Sequence, residues 1–127
     1  MVKNMRKEQI IFDFKEAEKE HKRMFPLATP ETQLRKLNEE FDEYVTATSV
    51  EEAYQEYGDL LFVCISFRRF VKTHIIADAL LERYYFSKPV EEQKKLMKYL
   101  QRAVTKVRIR MAKKEYKYKD GSYDRER

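Results

Sequence analysis

The sequence predicts an all-α protein, an antiparallel bundle of about four to five helices completed by oligomerisation. Three observations predict it. Two glycines and three prolines in 127 residues leave little material for hairpins and tight turns. The chain is rich in Glu, Lys, Arg, Leu and Ala, which favour helix. Apolar residues also recur at three- and four-residue intervals along most of its length.

The first helix spans about Val2 to Phe25, with Ile10, Phe14, Ala17, His21 and Met24 on one stripe. His21 in that stripe reads as a core-edge histidine, with no second motif residue beside it. Pro26 and Pro30 then stop one helix and start the next, with Thr29 as N-cap and Pro30 as first helical residue. The second helix, about Pro30 to Ala47, places Leu34, Leu37, Phe41, Tyr44 and Val45 inward; Glu39 and Glu43 lie opposite, and Glu40 sits at the stripe border. Ser49-Val50-Glu51-Glu52 has the form of a capping box with Glu52 reaching back. A third helix runs from there to about Lys72 on the stripe Ala53, Tyr57, Leu60, Cys64, Phe67 and Val71, flanked by Glu56 and Asp59. A further helix or continuation covers THIIADALLERYYF, with Ile75, Ile76, Ala79, Leu80 and Tyr84 as its apolar set. His74 at that junction reads as an ordinary structural histidine. The last helix, Val90 to about Lys114, carries Leu96, Tyr99, Leu100, Ala103, Val107 and Met111 inward.

Length suits one domain. Residues 1–115 form it, and 116–127 read as a basic, flexible tail without a periodic apolar face. Charged residues make up 39% and hydrophobic residues 43%, which excludes a disordered chain and leaves enough for a core. No apolar run approaches the roughly 20 residues that span a bilayer. The N-terminal MVKNMRKEQ lacks the apolar region of a secretory signal, so a cytoplasmic location without a membrane partner is expected. Cys64, the single cysteine, lies in LLFVCISF and reads as a buried small hydrophobe.

Charge is unevenly distributed. The net +5 divides into +9 from Lys94 onward and −4 before it. Between Lys36 and Arg68 there is no lysine or arginine, whereas an even scatter of the 27 bases would place roughly six or seven there. The same interval holds eight acids: Glu39, Glu40, Asp42, Glu43, Glu51, Glu52, Glu56 and Asp59. Two helices joined by the short TATS break are antiparallel neighbours, so Glu40 and Glu43 come within reach of Glu56 and Asp59. An E-E-x-x-E string alone is more often a solvated helix face. Two carboxylate pairs on consecutive helices, each beside an apolar stripe in an interval without bases, point instead to a hard oxygen-ligand site. Mg²⁺ fits it, and Mn²⁺ could substitute; neither His nor Cys, the donors Zn²⁺ prefers, occurs in either cluster. Such a site suits metal-bound polyphosphate.

Leu34-Arg35-Lys36-Leu37-Asn38-Glu39-Glu40-Phe41-Asp42-Glu43, followed after a twelve-residue spacer by Glu56-Tyr57-Gly58-Asp59-Leu60-Leu61-Phe62-Val63, resembles the MazG family of nucleoside triphosphate pyrophosphohydrolases. That family belongs to the all-α superfamily that also includes dimeric dUTPases and phosphoribosyl-ATP pyrophosphohydrolase. Its pattern is E-E-x-x-E, a variable spacer, then E-x-x-D. The resemblance covers residues 30–70 and implies Mg²⁺-dependent cleavage between the α- and β-phosphates of a nucleotide, giving a monophosphate and pyrophosphate. It implies Glu40, Glu43, Glu56 and Asp59 as metal ligands, and catalytic roles for Glu40 and Glu43 with Glu39 supporting or orienting water. Arg35 and Lys36, one turn before the acids, and Lys106 on the last helix are the residues expected to meet phosphate. The resemblance further implies a homodimer or homotetramer, with a base pocket built partly across the interface and lined by Tyr or Phe from the first helix.

A second reading is a nucleic-acid-binding helical protein that uses the basic C-terminal helix and tail, where Tyr99, Tyr116, Tyr118 and Tyr123 are interleaved with lysines and arginines. A third is a catalytically silent helical adaptor.

Overall fold

The computed structural model of the chain describes residues 14–119 and 122–125. Five helices dominate: α1 (residues 14–24), α2 (Pro30–Val45), α3 (Val50–Ser66), α4 (His74–Leu81) and α5 (Val90–Ala112). A 3₁₀ turn, Phe67–Arg69, follows α3, and a π turn, Glu82–Phe86, follows α4. An antiparallel hairpin of β1 (Tyr116–Lys119) and β2 (Ser122–Arg125) closes the described chain. The expected helix before residue 14, Ile10 included, lies outside the described residues.

The helix α3 is central and packs on both α2 and α5. Its Leu61, Cys64 and Ile65 are fully buried, as are Leu81 of α4, Tyr85 of the π turn and Leu100 of α5. Phe14, Ala17, His21 and Met24 cover this core from α1, the stripe the sequence predicts. Burial pushes the Cys64 thiol up to about 12, so it is an inert core group. At Gly58, where α3 meets α5, an added Cβ would lie 2.5 Å from the carbonyl oxygen of Tyr99. Only a residue without a side chain allows that approach.

Caps set the helix starts. Thr29 is the N-cap of α2 with Pro30 as first residue, as predicted, and Thr32 closes the box by accepting from the Thr29 N–H at 3.1 Å. Ser49 caps α3 by accepting from Glu52 N–H at 3.1 Å. Glu52, however, reaches past Ser49 and accepts from the Thr48 N–H and hydroxyl at 3.1 and 2.9 Å.

Several inward faces differ from expectation. On α2, Leu34, Phe41 and Val45 are exposed, and Gln33 is the buried residue, with Leu37 and Tyr44 packed partly against the core. The predicted third helix stops at Ser66, not Lys72, and Val71 is almost fully exposed. On α4 the buried residues are Ala77 and Leu81, while Ile75 and Ile76 face outward. Buried polar and acidic side chains around a cavity displace the α2 face from its hydrophobic average, and the break at 70–73 resets the phase of α4.

The hairpin is the largest departure from an all-α chain. The helix α5 ends with Lys114 at φ 57°, Glu115 N–H bonded to Arg110 O and Lys114 N–H to Met111 O, both at 3.0 Å. This left-handed cap reverses the chain. Tyr116, Tyr118 and Tyr123 then share one face, with Tyr116 and Tyr123 each 5.1 Å from the Phe25 ring. The expectation of nucleic-acid binding through a basic C-terminal helix and tail is therefore overturned: the segment is a hairpin, Tyr116 and Tyr123 pack on the protein, and Asp124 is bonded by Lys36 and Arg35.

Candidate metal centre

The α2–α3 pair brings carboxylates together as the spacing predicts. Oxygens of Glu40, Glu43 and Glu56 lie within 4.8 Å of one another, close enough to share one cation. Glu40 and Glu56 are half-buried and Glu43 is exposed. Among the described residues, one oxygen of Glu40 and one of Glu56 are buried without a hydrogen-bond partner. Burying such atoms unpaired is costly, and a hard divalent ion is the partner their chemistry fits.

The electrostatics describe the same crowding. Burial first, then the charges of Asp59 and Glu43, raise the Glu40 carboxyl well above the usual range. Burial, the Glu43 hydrogen bond and the Asp59 charge raise Glu56. A site in this state holds protons that a cation displaces.

Asp59 stands apart from the trio. Both its oxygens accept from Lys106 Nζ, at 2.8 and 2.7 Å, and its side chain is only 15% exposed. Burial still raises its carboxyl, against the lowering effect of Lys106. Three of the four motif acids therefore cluster, and the fourth, Asp59, is paired with an ammonium. Lys106, named as a phosphate contact, is engaged with the carboxylate.

Glu39 and Lys36 line the same cavity, of about 390 Å³, as Glu40, Glu43 and Asp59. Glu39 is exposed and forms a long ion pair with Lys36 at 3.9 Å. Lys36 is bonded to Asp124 at 3.0 Å. Arg35 turns outward to Asp124 at 3.2 Å and to Ser122, at the hairpin rather than over the acids.

The other end of the cavity holds groups the sequence reading did not single out as a site. Phe25, Phe62, Tyr116 and Tyr123 line it, with Gln33 and His21. His21 is 5% exposed; burial and the Arg69 charge lower its ring to about 3, so it is neutral. Arg69 donates to His21 Nδ1 at 2.9 Å and to Phe25 O at 2.9 Å. Gln33 Nε2 lies 3.3 Å from His21 Nε2 and 2.8 Å from Ser66 Oγ. The available signal was spacing: Gln33 precedes Lys36 by three residues and Glu40 by seven, on one helical face. Reading that face by hydrophobicity alone hides it. His74, by contrast, is exposed and 3.7 Å from Asp78, outside the site.

No protein-family model, curated protein or solved structure matches the chain. The expected partners, a nucleoside triphosphate and further copies of the chain, thus gain no support from known relatives. Among the described residues, Leu34, Phe41 and Val45 are exposed. What stands is a helix bundle of five helices with a three-glutamate group able to chelate a divalent metal, consistent with metal-dependent hydrolysis in general terms. Among the described residues, no helix is long and apolar enough to cross a membrane.

Proposed function

We propose that this protein is a Mg²⁺-dependent, MazG-like nucleotide pyrophosphohydrolase of the cytoplasm, cleaving between the α- and β-phosphates of (d)NTPs. The observation that carries this reading is the pair of buried, unpartnered oxygens on Glu40 and Glu56 beside Glu43, at the E-E-x-x-E and E-x-x-D positions. Glu40, Glu43 and Glu56 would hold a divalent ion, which when bound would supply charge neutralisation for the phosphates and lower the pKa of water. Glu39, exposed and lining the same cavity, would orient the attacking water.

Asp59 and Lys106 act as a pair. Lys106 keeps the Asp59 charge balanced; were its ammonium to turn to a phosphate oxygen, Asp59 would be free to serve as a fourth ligand. Lys36, which lines the same cavity, would meet a phosphate once Asp124 gives way.

The test is a panel of NTPs and dNTPs with Mg²⁺ or Mn²⁺, assayed for pyrophosphate. Release of one pyrophosphate per monophosphate, abolished by Glu43→Ala, is expected. A folded protein that turns over none of the panel sinks the reading.

A further inference from the structure

We propose that a cationic groove along α5 takes the distal end of the substrate's phosphate chain, and that the protein acts on nucleotides whose chain is longer than three phosphates. This substrate class belongs to the site read above as a pyrophosphohydrolase and rests on that reading. It also gives a use to the +9 charge from Lys94 onward, which neither the carboxylate site nor the overturned nucleic-acid reading absorbs.

A second cavity, open and of about 740 Å³, adjoins the first. Lys106, Arg110 and Arg125 line both. Across these three residues the sign of the lining charge changes. The first cavity sets Glu39, Glu40, Glu43, Asp59 and Asp124 against four Lys and Arg. The groove sets Lys98, Arg102, Lys106, Arg110, Lys113 and Arg125 against Glu115 alone. A phosphate chain whose first members lie at the carboxylates, where a divalent ion would answer them, meets cations alone as it leaves toward the groove.

Helix geometry sets the length of that path. Lys98, Arg102, Lys106 and Arg110 recur every four residues and so share one face of α5, with Lys113 three residues further on. Lys98 precedes Lys106 by eight residues, roughly 12 Å along the axis, which is room for several phosphate groups. Such a stripe is not neutral for the helix, because like charges at four-residue spacing repel and destabilise it. The protein answers few of them. Lys106 is paired with Asp59 and Arg102 lies 3.9 Å from Glu51, whereas the other four form no ion pair among the described residues. Lys98, Arg102 and Lys113 are exposed and line the groove but not the first cavity. They are assigned to the phosphates beyond the third.

The chemistry is the cleavage already proposed. Water forms a bond to the α-phosphorus, the bond from that phosphorus to the bridging oxygen breaks, the bridging oxygen leaves on the β-phosphate, and the protons of the water pass to solvent. A nucleoside tetraphosphate thus gives a monophosphate and tripolyphosphate, with no further reactant consumed.

The experiment measures Mg²⁺-dependent hydrolysis of ATP and of adenosine tetraphosphate, together with calorimetric binding of inorganic tripolyphosphate in the absence of metal. It compares the wild type, the double variant Lys98→Gln/Arg102→Gln, and a charge-matched control, Lys22→Gln/Lys94→Gln, whose lysines lie outside the groove. The wild type should favour the tetraphosphate by roughly 5- to 30-fold in kcat/KM, the gain expected of one or two added exposed ion pairs. Lys98→Gln/Arg102→Gln should erase that preference and weaken tripolyphosphate binding while leaving ATP hydrolysis unchanged; the control should keep both. Equal use of the two nucleotides by the wild type, a preference that survives Lys98→Gln/Arg102→Gln, or one that falls equally in the control overturns the groove and leaves the pyrophosphohydrolase intact. Tripolyphosphate binding that is lost in Lys98→Gln/Arg102→Gln and kept in the control, in a protein that hydrolyses neither nucleotide, upholds the groove and removes the activity. Neither hydrolysis nor tripolyphosphate binding by the folded protein overturns both.

Discussion

Glu20 on α1 and Glu40 on α2 are the same residue type, both partly shielded from water, and their carboxyls are displaced in opposite directions. Glu20 accepts from Arg23 at 2.8 Å and from Arg108 of α5 at 3.0 Å, and these two arginines hold it down to about 2. Glu40 has burial and other acids around it, and one of its oxygens has no partner. The first is a finished ion pair that ties α1 to α5. The second is an incomplete site. Burial alone does not separate structural from functional acids; whether the charge is already answered by the protein does.

Breaking the unanswered cluster should have the largest effect. Glu43→Ala removes one of the three carboxylates proposed as ligands and should lower Mg²⁺-dependent turnover by more than the roughly 10- to 100-fold typical of losing an outer partner of a metal site, while circular dichroism shows the fold intact. A variant with near-normal pyrophosphate release would separate Glu43 from the reaction.

Glu40→Gln sharpens the contrast in the other direction. Removing a charge from a crowded acidic group should leave the metal-free protein as stable as the wild type or more so, and should abolish the rise in Tm on adding Mg²⁺. Loss of stability without metal would show that Glu40 has a structural partner after all.

Titration separates the two glutamates without mutation. The raised Glu40 and Glu56 carboxyls bind protons more tightly in the folded chain, so their contribution is complete below about pH 4.5 and is lost as pH rises through the folded values. For Glu20 the sign reverses: its contribution is present above about pH 4.5 and disappears as pH falls toward 2. Denaturation of the metal-free protein at several pH values should therefore show the acidic site weakening the fold between acid and neutral pH. Calorimetry in buffers of different ionisation enthalpy should detect protons released when Mg²⁺ binds. No proton release would contradict the raised carboxyls.

Two smaller effects complete the set. Glu20→Ala should cost about 0.5–1 kcal/mol in urea unfolding, since the Arg108 side of the pair is nearly half exposed and screened. Asp124→Asn frees Lys36 from an internal anion and should lower KM for a polyphosphate a few-fold, within the roughly 0–1 kcal/mol range of exposed pairs. An unchanged KM would place Lys36 outside the phosphate path.

The sequence made the acids legible because charge and spacing are one-dimensional signals. The empty stretch of bases, the short TATS break and the caps at Thr29 and Ser49 were enough to fold Glu40 and Glu43 toward Glu56. The pairing of Asp59 with Lys106 was not legible, because the partners are 47 residues apart and on helices whose rotation only packing decides. The inward face of α2 was misread for a related reason: hydrophobic periodicity assumes that apolar means inward, and around a polar cavity Gln33 and Glu40 turn in while Leu34 and Phe41 turn out. The hairpin had a local signal. Tyr116 and Tyr118 alternate with Lys117 and Lys119 before Asp120-Gly121, the dipeptide most favoured in two-residue hairpin turns. Its high lysine content masked the alternation.

Gly58 gives the site its scale. It lies two residues after Glu56 and one before Asp59, at the point where α5 rests its Tyr99 carbonyl against α3. Lys106 is two helical turns further along α5 from that contact. The glycine is thus a fulcrum: a methyl group at 58 would tilt the far arm of α5 away and lengthen the reach from Lys106 to Asp59, without touching either side chain. The gap between two helix backbones, set by one hydrogen atom in place of a carbon, thus bears on how closely the ammonium meets the carboxylate.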